Sequence, residues 1–404
     1  MTPRTEKASP VPPTWGVIPA TVPSFLTDLP IILAVLAIFY GVLSFSRYGV
    51  GPINTQAEIQ LHPGALPKYA AFSLIRIAIA YLLSLIFTFV YGYIAAYNAK
   101  AERFMIPLLD ILQSIPVLSF LPPVMVAMVT LFPTRQLGAE LGCIVLILTG
   151  QVWNMTFSFY SSLKSIPNEM REAAKVYRLS WWQRFMQMEL PYAAIGLIWN
   201  SMMSLAGAWF FLMACEMFVL GNRDLRLPGL GSYLQTAANA GDTRAILWGL
   251  AAMVAVIVLV DQIIWRPTIA WAEKFKFEQV EAAVPPRSPV LDMLRRSKIL
   301  PLAARVSVLP LREALNLHFA RAQASSPRHH LGPRLGKWIL WLLVVCGLLG
   351  VAYALVKMSS MLAALSRPEI REILWGAGAT FLRVEATLLL AAIWTIPVGL
   401  YIGL

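Results

Sequence analysis

The sequence predicts an all-α polytopic membrane protein with about eight transmembrane helices. Three observations carry this. Hydrophobic residues make up 58% of the 404 residues and charged residues 13%, against about 25% charged in an ordinary soluble domain. Several apolar runs exceed the ~20 residues that cross a bilayer as a helix. The net charge of +12 falls between those runs, which membrane topology explains better than nucleic-acid binding.

Residues 1–28, rich in Pro and Thr, read as a flexible tail without the pattern of a cleaved signal peptide. Residues 29–64 hold a first span centred on Ile31–Phe45 and a polar connection. A second span runs from Ser73 to Tyr97, followed by the short basic turn Asn98–Arg103. The third, Ile106 to Phe132, is interrupted by Pro107, Pro116, Pro122 and Pro123, which break the helical ladder and kink it. A membrane tolerates such kinks where neighbouring helices or water satisfy the freed carbonyls. Leu141–Tyr160, Pro191–Leu220 and Ile246–Trp265 are the fourth to sixth spans, the sixth ending at the interfacial anchor Trp265-Arg266-Pro267. The stretch 221–242 is an outer connection containing Gly229-Leu-Gly231. A basic linker over 271–337 carries twelve Lys or Arg. Trp338–Met358 and Thr380–Leu404 are the seventh and eighth spans.

Between the fourth and fifth spans lies a charged stretch with apolar runs on both sides, Glu172 to Pro191. It reads as two short helices joined by a tight turn. Ser165 is placed to cap the first, with Pro167 in its first turn. Met170, Ala173, Ala174 and Tyr177 make one apolar stripe at helical spacing. Ser180 with Gln183 is a capping-box pattern opening the second helix, and Pro191 stands where the next apolar helix begins. The product is a lever, a protruding helix pair continuous with a membrane helix.

This spelling resembles the permease subunits of binding-protein-dependent ABC importers, whose cytoplasmic loop reads E-A-A, three residues, G, nine residues, I, one residue, L-P. Glu172, Ala173, Ala174, Leu190 and Pro191 match, Met188 replaces the isoleucine, and Arg178 stands at the glycine. Glycine there suits a left-handed residue ending the first helix, and Arg in that conformation costs roughly 1 kcal/mol. The resemblance extends over about 65–270. It includes Ser73-Leu-Ile-Arg76 and Gly92, then Ile115-Pro116-Val-Leu118 with Pro122, and after the lever Ala208-Trp209, Glu216-Met217 and Gly229-Leu-Gly231. This pattern is similar to the permeases for sulfonates, taurine and nitrate, and implies the type I importer transmembrane fold. Shifting the chain by 307 residues lays Ser73 and Arg76 on Thr380 and Arg383, and Gly92 on Gly399. Such a repeat resembles the duplicated-permease branch, with 338–404 opening a second, incomplete unit. The expectation is therefore a piece of a longer duplicated permease, with pairing of two copies as the other possibility.

The resemblance implies that Glu172, Ala173, Ala174, Arg178, Leu190 and Pro191 form the loop that docks on separate ABC ATPase subunits. Arg76, Gln113, Ser114, Pro116 and Glu216 are candidates for a pathway or gate, because intramembrane charges are functional candidates by default. Snorkelling near an interface is the plainer reading of Arg76 and Glu216. Asp110 precedes the Pro116 kink with Gln113 and Ser114. Asn154 and Asn200 read as pathway residues or interhelical hydrogen bonds. Gly229 and Gly231 suit an outer loop that an external substrate-binding protein touches, or a simple turn. Cys143, Cys215 and Cys346 lie in apolar runs without paired spacing, and His329-His330 falls in the linker. No phosphate loop, H-E-x-x-H or nucleophile elbow is present. The expectation is no catalytic residue, no metal and no cofactor.

The function expected is that of the membrane subunit of an ATP-driven importer of a small anion. It lies in the bacterial inner membrane, amino terminus cytoplasmic, opposite a second permease unit. Lys164, Arg171, Lys175, Arg178 and Arg184 place the lever inside. Nothing in the spans forms a solute cage, so selectivity is assigned to the binding protein. The rivals are a secondary transporter with internal repeats, which has no use for the lever, and a membrane-embedded enzyme, which lacks clustered catalytic groups.

Overall fold

The computed structural model describes residues 24–51, 58–133, 136–220, 223–275, 288–297, 299–325, 356 and 366–403. The helices are α1 (Ser24–Val50), α2 (Leu66–Tyr97), α3 (Ala99–Ser114), α4 (Val117–Leu131), α5 (Leu137–Lys164), α6 (Asn168–Val176), α7 (Trp181–Arg184) and α8 (Leu190–Glu216). There follow α9 (Leu230–Asn239), α10 (Thr243–Val260), α11 (Arg266–Ala272), α12 (Pro289–Arg296), α13 (Ile299–Ala303), α14 (Leu309–Ser325) and α15 (Arg367–Gly403). The chain divides into two units, 1–325 and 326–404.

Among the described residues six helices are long and apolar enough to cross a membrane, and the bent pair α3–α4 makes a seventh if it counts as one span. The expected span over 338–358 lies outside the described residues apart from residue 356. In the first unit α2, α5 and α8 form the centre. They approach closely because small residues meet large ones: a Cβ on Gly92 would come within 2.8 Å of the Phe159 ring. The outward faces of α1 and α10 carry exposed Leu36, Ile38, Phe39, Leu247 and Val254, since lipid tails are as apolar as leucine. In the second unit α15 is a 37-residue helix with exposed apolar side chains. The 307-residue shift lays it over nearly the same stretch as α2.

Several boundaries differ from expectation, each for a local reason. The basic turn before the third span is helical, because Asn98 caps α3 by accepting from the N–H groups of Lys100 and Ala101. Pro116 does more than kink that span: α3 and α4 meet at 94°. The fifth span stops at Glu216, and Met217–Leu220 pairs antiparallel with Arg223–Arg226 as the hairpin β1–β2. The outer connection also contains α9. Among the described residues the π turns Phe185–Glu189, Asp261–Trp265 and Ala304–Val308 each end two residues before a proline: Pro191, Pro267 and Pro310. Proline lacks the N–H that closes the preceding turn and its ring crowds it, and a one-turn π-bulge absorbs both.

The linker region 271–337 is folded where it is described. Ser288 caps α12, and Ser297 donates to Asp28 at 2.6 Å, tying the segment to α1. Phe319 of α14 stacks on Trp182 at 5.7 Å between ring centres. His329-His330 lies outside the described residues.

Candidate functional site

The lever forms as α6 and α7, and its anchorage begins in the sequence. Met170 and Ala174 of α6 and Leu179 pack with Leu163, Ile166, Phe185 and Met188 in one apolar cluster. Arg171 donates to the carbonyls of Leu163 and Lys164 at 2.9 and 3.3 Å, placing a cation on the unsatisfied carbonyl end of α5. Ser165 does not cap α6; it ends α5, donating to Ser162, and Pro167 precedes α6 with no side-chain cap. The stripe is also narrower than its spacing implied. Ala174 is buried, but Tyr177 is 78% exposed, as is Val176. Glu172 and Ala173 are exposed beside them.

The turn after α6 closes as a Schellman motif. Leu179 N–H reaches Ala174 and Arg178 N–H reaches Lys175, both at 3.0 Å. Arg178 adopts φ +50°. The motif requires a left-handed residue at that place, so the arginine accepts the strain that glycine avoids. Replacing Arg178 by glycine is expected to raise the thermal midpoint slightly. Arg178→Val should lower it, by about 1 kcal/mol or more, because β-branched residues tolerate positive φ worst. Equal midpoints for the three proteins would show that the turn is not held this way. Beyond it Ser180 and Gln183 make the expected capping box. The second lever helix then runs through the π turn into α8, with Leu190 partly buried and Pro191 in the first turn of α8.

At the opposite end of α2 the charges gather. Arg76 is fully buried and all three guanidinium nitrogens are engaged. Nε and Nη2 form a fork on Glu140 at 2.6 Å each. Nη1 reaches Glu216 at 2.7 Å and the Pro228 carbonyl at 2.9 Å. Glu216 also accepts from Ser73 at 2.5 Å and from the Gly231 N–H at 2.7 Å. One cation thus faces two carboxylates, and the second carboxylate is held partly by neutral donors, which buried ions require. Arg76 and Glu216 are both buried and do not snorkel. Gly229 and Gly231 are buried as well, and Glu216 occupies the space where a Gly229 side chain would start, 2.2 Å from the would-be Cβ. Glu140 was missed, since it precedes an apolar run and reads as an interfacial charge.

The remaining candidates sit at the α3–α4 elbow. Asp110, Gln113, Ser114 and Pro116 are all exposed there. Gln113 donates to the Asp110 carboxylate at 3.2 Å and Ser114 to the Asp110 carbonyl at 2.7 Å. Asn200 donates to the Gly196 carbonyl of its own helix, and Asn154 is exposed.

Residues 89–264 match the family described as the binding-protein-dependent transport system inner membrane component. The match includes the lever, Glu140, Glu216 and both glycines, and begins after Arg76. A Bacillus subtilis protein named as an aliphatic sulfonates transport permease is 22% identical over 53% of this chain and 73% of its own length. The nitrate import permease of Leptolyngbya laminosa is 23% identical over 44% of this chain and 58% of its own. The bicarbonate transport system permease of Synechococcus elongatus is 23% identical, over 50% and 66%. Among solved structures, an inward-facing MetNI methionine ABC transporter chain aligns at TM-score 0.41 and 16% identity, over 50% of this chain and 93% of that one.

Proposed function

From the match of residues 89–264 to the inner membrane component of binding-protein-dependent transport systems, we infer that the chain is an ABC importer permease that carries a small anion across the bacterial inner membrane when ATPase subunits move α6. It is a multi-pass transport subunit, with hydrolysis on a separate polypeptide. One observation carries the coupling role. Glu172, Val176 and Tyr177 stand exposed together on a short helix fixed to the bundle by a packed core and by Arg171. An acidic residue beside two bare apolar side chains is what a docking knob presents.

Closure of two ATPase subunits on ATP displaces α6, and the bundle exchanges inward-open and outward-open states as a rigid-body switch. An external binding protein delivers the solute. The basic residues around the lever support placing it and the amino terminus on the cytoplasmic side. The exposed Asp110, Gln113 and Ser114 lie in the largely apolar stretch 104–131 of the helix pair, where lipid is a costly neighbour. They support a second permease unit across the elbow, with the pathway between.

The relatives named for sulfonates, nitrate and bicarbonate support an anionic solute. Expression with its ATPase and binding-protein partners should give ATP-dependent uptake of a sulfonate, taurine or nitrate into vesicles. Exclusive uptake of a sugar or peptide would refute the solute class. Failure of an ATPase subunit to co-purify would refute the importer reading itself.

A further inference from the structure

A second charge cluster, buried at Glu189 and partly exposed at Arg184 and Tyr97, joins the lever to α2. Glu189, in the π turn, is fully buried. Its Oε1 accepts from Arg184 Nε at 2.7 Å and from the Tyr97 hydroxyl at 2.6 Å. Arg184 Nη2 donates to the Tyr93 hydroxyl at 2.7 Å, and its guanidinium lies 5.1 Å from the Tyr97 ring centre. Phe185 and Trp181 pad the joint, each about 6 Å from the Tyr93 ring. Glu189 Oε2 is buried and has no partner among the described residues.

We propose that Arg184, Glu189, Tyr93 and Tyr97 are positioning residues of the transport cycle: a joint through which displacement of the lever is handed to α2. This rests on the importer reading above. α2 and α8 are each continuous helices tied to one another by charge at both ends, by Glu189 at the lever end and by Arg76–Glu216 at the other. Between those ties, α5 fills the space. Packing alone would hold the two helices together as firmly, because replacing a buried ion pair by apolar residues is often neutral or stabilising. What a charged joint adds is register. Its hydrogen bonds form in one arrangement and break in others, so α2 has to follow the π turn or release it. The π turn is the suitable place, since its ladder is already shifted by Pro191 and its carbonyls are less constrained.

The test uses the assembled importer, with its ATPase subunits, in hydrogen–deuterium exchange with and without ATP and vanadate. In the wild type, trapping should change exchange both in the lever, 168–189, and at the inner end of α2, 89–97. The expected change at 89–97 is about tenfold, equivalent to one net buried hydrogen bond. In Glu189→Gln and in Arg184→Gln the lever should still respond while the response at 89–97 is lost, and Arg184→Lys should restore part of it. Tyr97→Phe removes a single hydroxyl and carries the same test if the charge variants do not assemble. The proposal is overturned if 89–97 responds equally in wild type and variants, even with lowered thermal midpoints, since the joint is then only structural. It is equally overturned if 89–97 does not respond in the wild type. An ATPase that fails to bind the wild-type chain would instead sink the importer reading.

Discussion

Arg76→Ala is expected to destabilise the bundle by about 3–5 kcal/mol, the usual cost of removing one partner from a buried ion pair. Natural domains hold only about 5–15 kcal/mol in total, so much of the variant should fail to accumulate as folded protein. The size follows from what is left behind. Without the guanidinium, Glu140 loses both of its hydrogen bonds to Arg76, and Glu216 keeps, among the described residues, Ser73 and the Gly231 N–H. Two carboxylates would then face each other in an interior from which both are excluded from water. Arg76→Lys should recover only part, since an ammonium cannot form the two-pronged contact with Glu140. The triple variant Arg76→Met, Glu140→Gln, Glu216→Gln should recover most of it, because removing the whole set of charges leaves none unpaired. The readout is the thermal midpoint and the monodisperse yield in detergent. A loss for Arg76→Ala within about 0.5 kcal/mol, the scale of ordinary surface changes, would mean the cluster is not closed in the membrane.

The spans and the lever were legible because their signals are local. A run of apolar residues, a capping box at Ser180 and Gln183, and a turn at Arg178 each depend on residues within a few positions. The lever's inward face was only half legible. Helical spacing put Tyr177 on the same stripe as Ala174, but that periodicity does not say where a stripe ends. The structure covers Ala174 and leaves Tyr177 bare. The buried clusters were the least legible. Arg76 meets Glu140 across 64 residues and Glu216 across 140, and Tyr97 meets Glu189 across 92. No pattern along one helix encodes such a pairing; it exists only once α2, α5 and α8 are packed. The glycines at 229 and 231 were read as an outer loop for a binding protein or a simple turn, and the spacing did not show that their missing side chains make room for the Glu216 carboxylate.

Glu172→Ala should leave the protein folded and inserted yet cut ATP-driven uptake by about tenfold or more, the scale of losing one charged contact at the centre of an interface. The two halves of that expectation have separate grounds. Glu172 is exposed, with no hydrogen bond or ion pair among the described residues, and alanine is the better helix former. The fold therefore loses nothing by the change, and the thermal midpoint should stay within about 0.5 kcal/mol of wild type. Coupling should suffer because Glu172 shares the exposed surface of α6 with Val176 and Tyr177, beside Lys175. Glu172→Gln, which keeps the shape and hydrogen-bonding capacity, should fall between. Val176→Asp should mimic the loss by spoiling the apolar part. The measurements are ATPase co-purification, solute-stimulated hydrolysis and uptake in vesicles holding all components. Undiminished uptake by Glu172→Ala would remove α6 from the coupling path and return its exposed face to the status of an ordinary solvated helix.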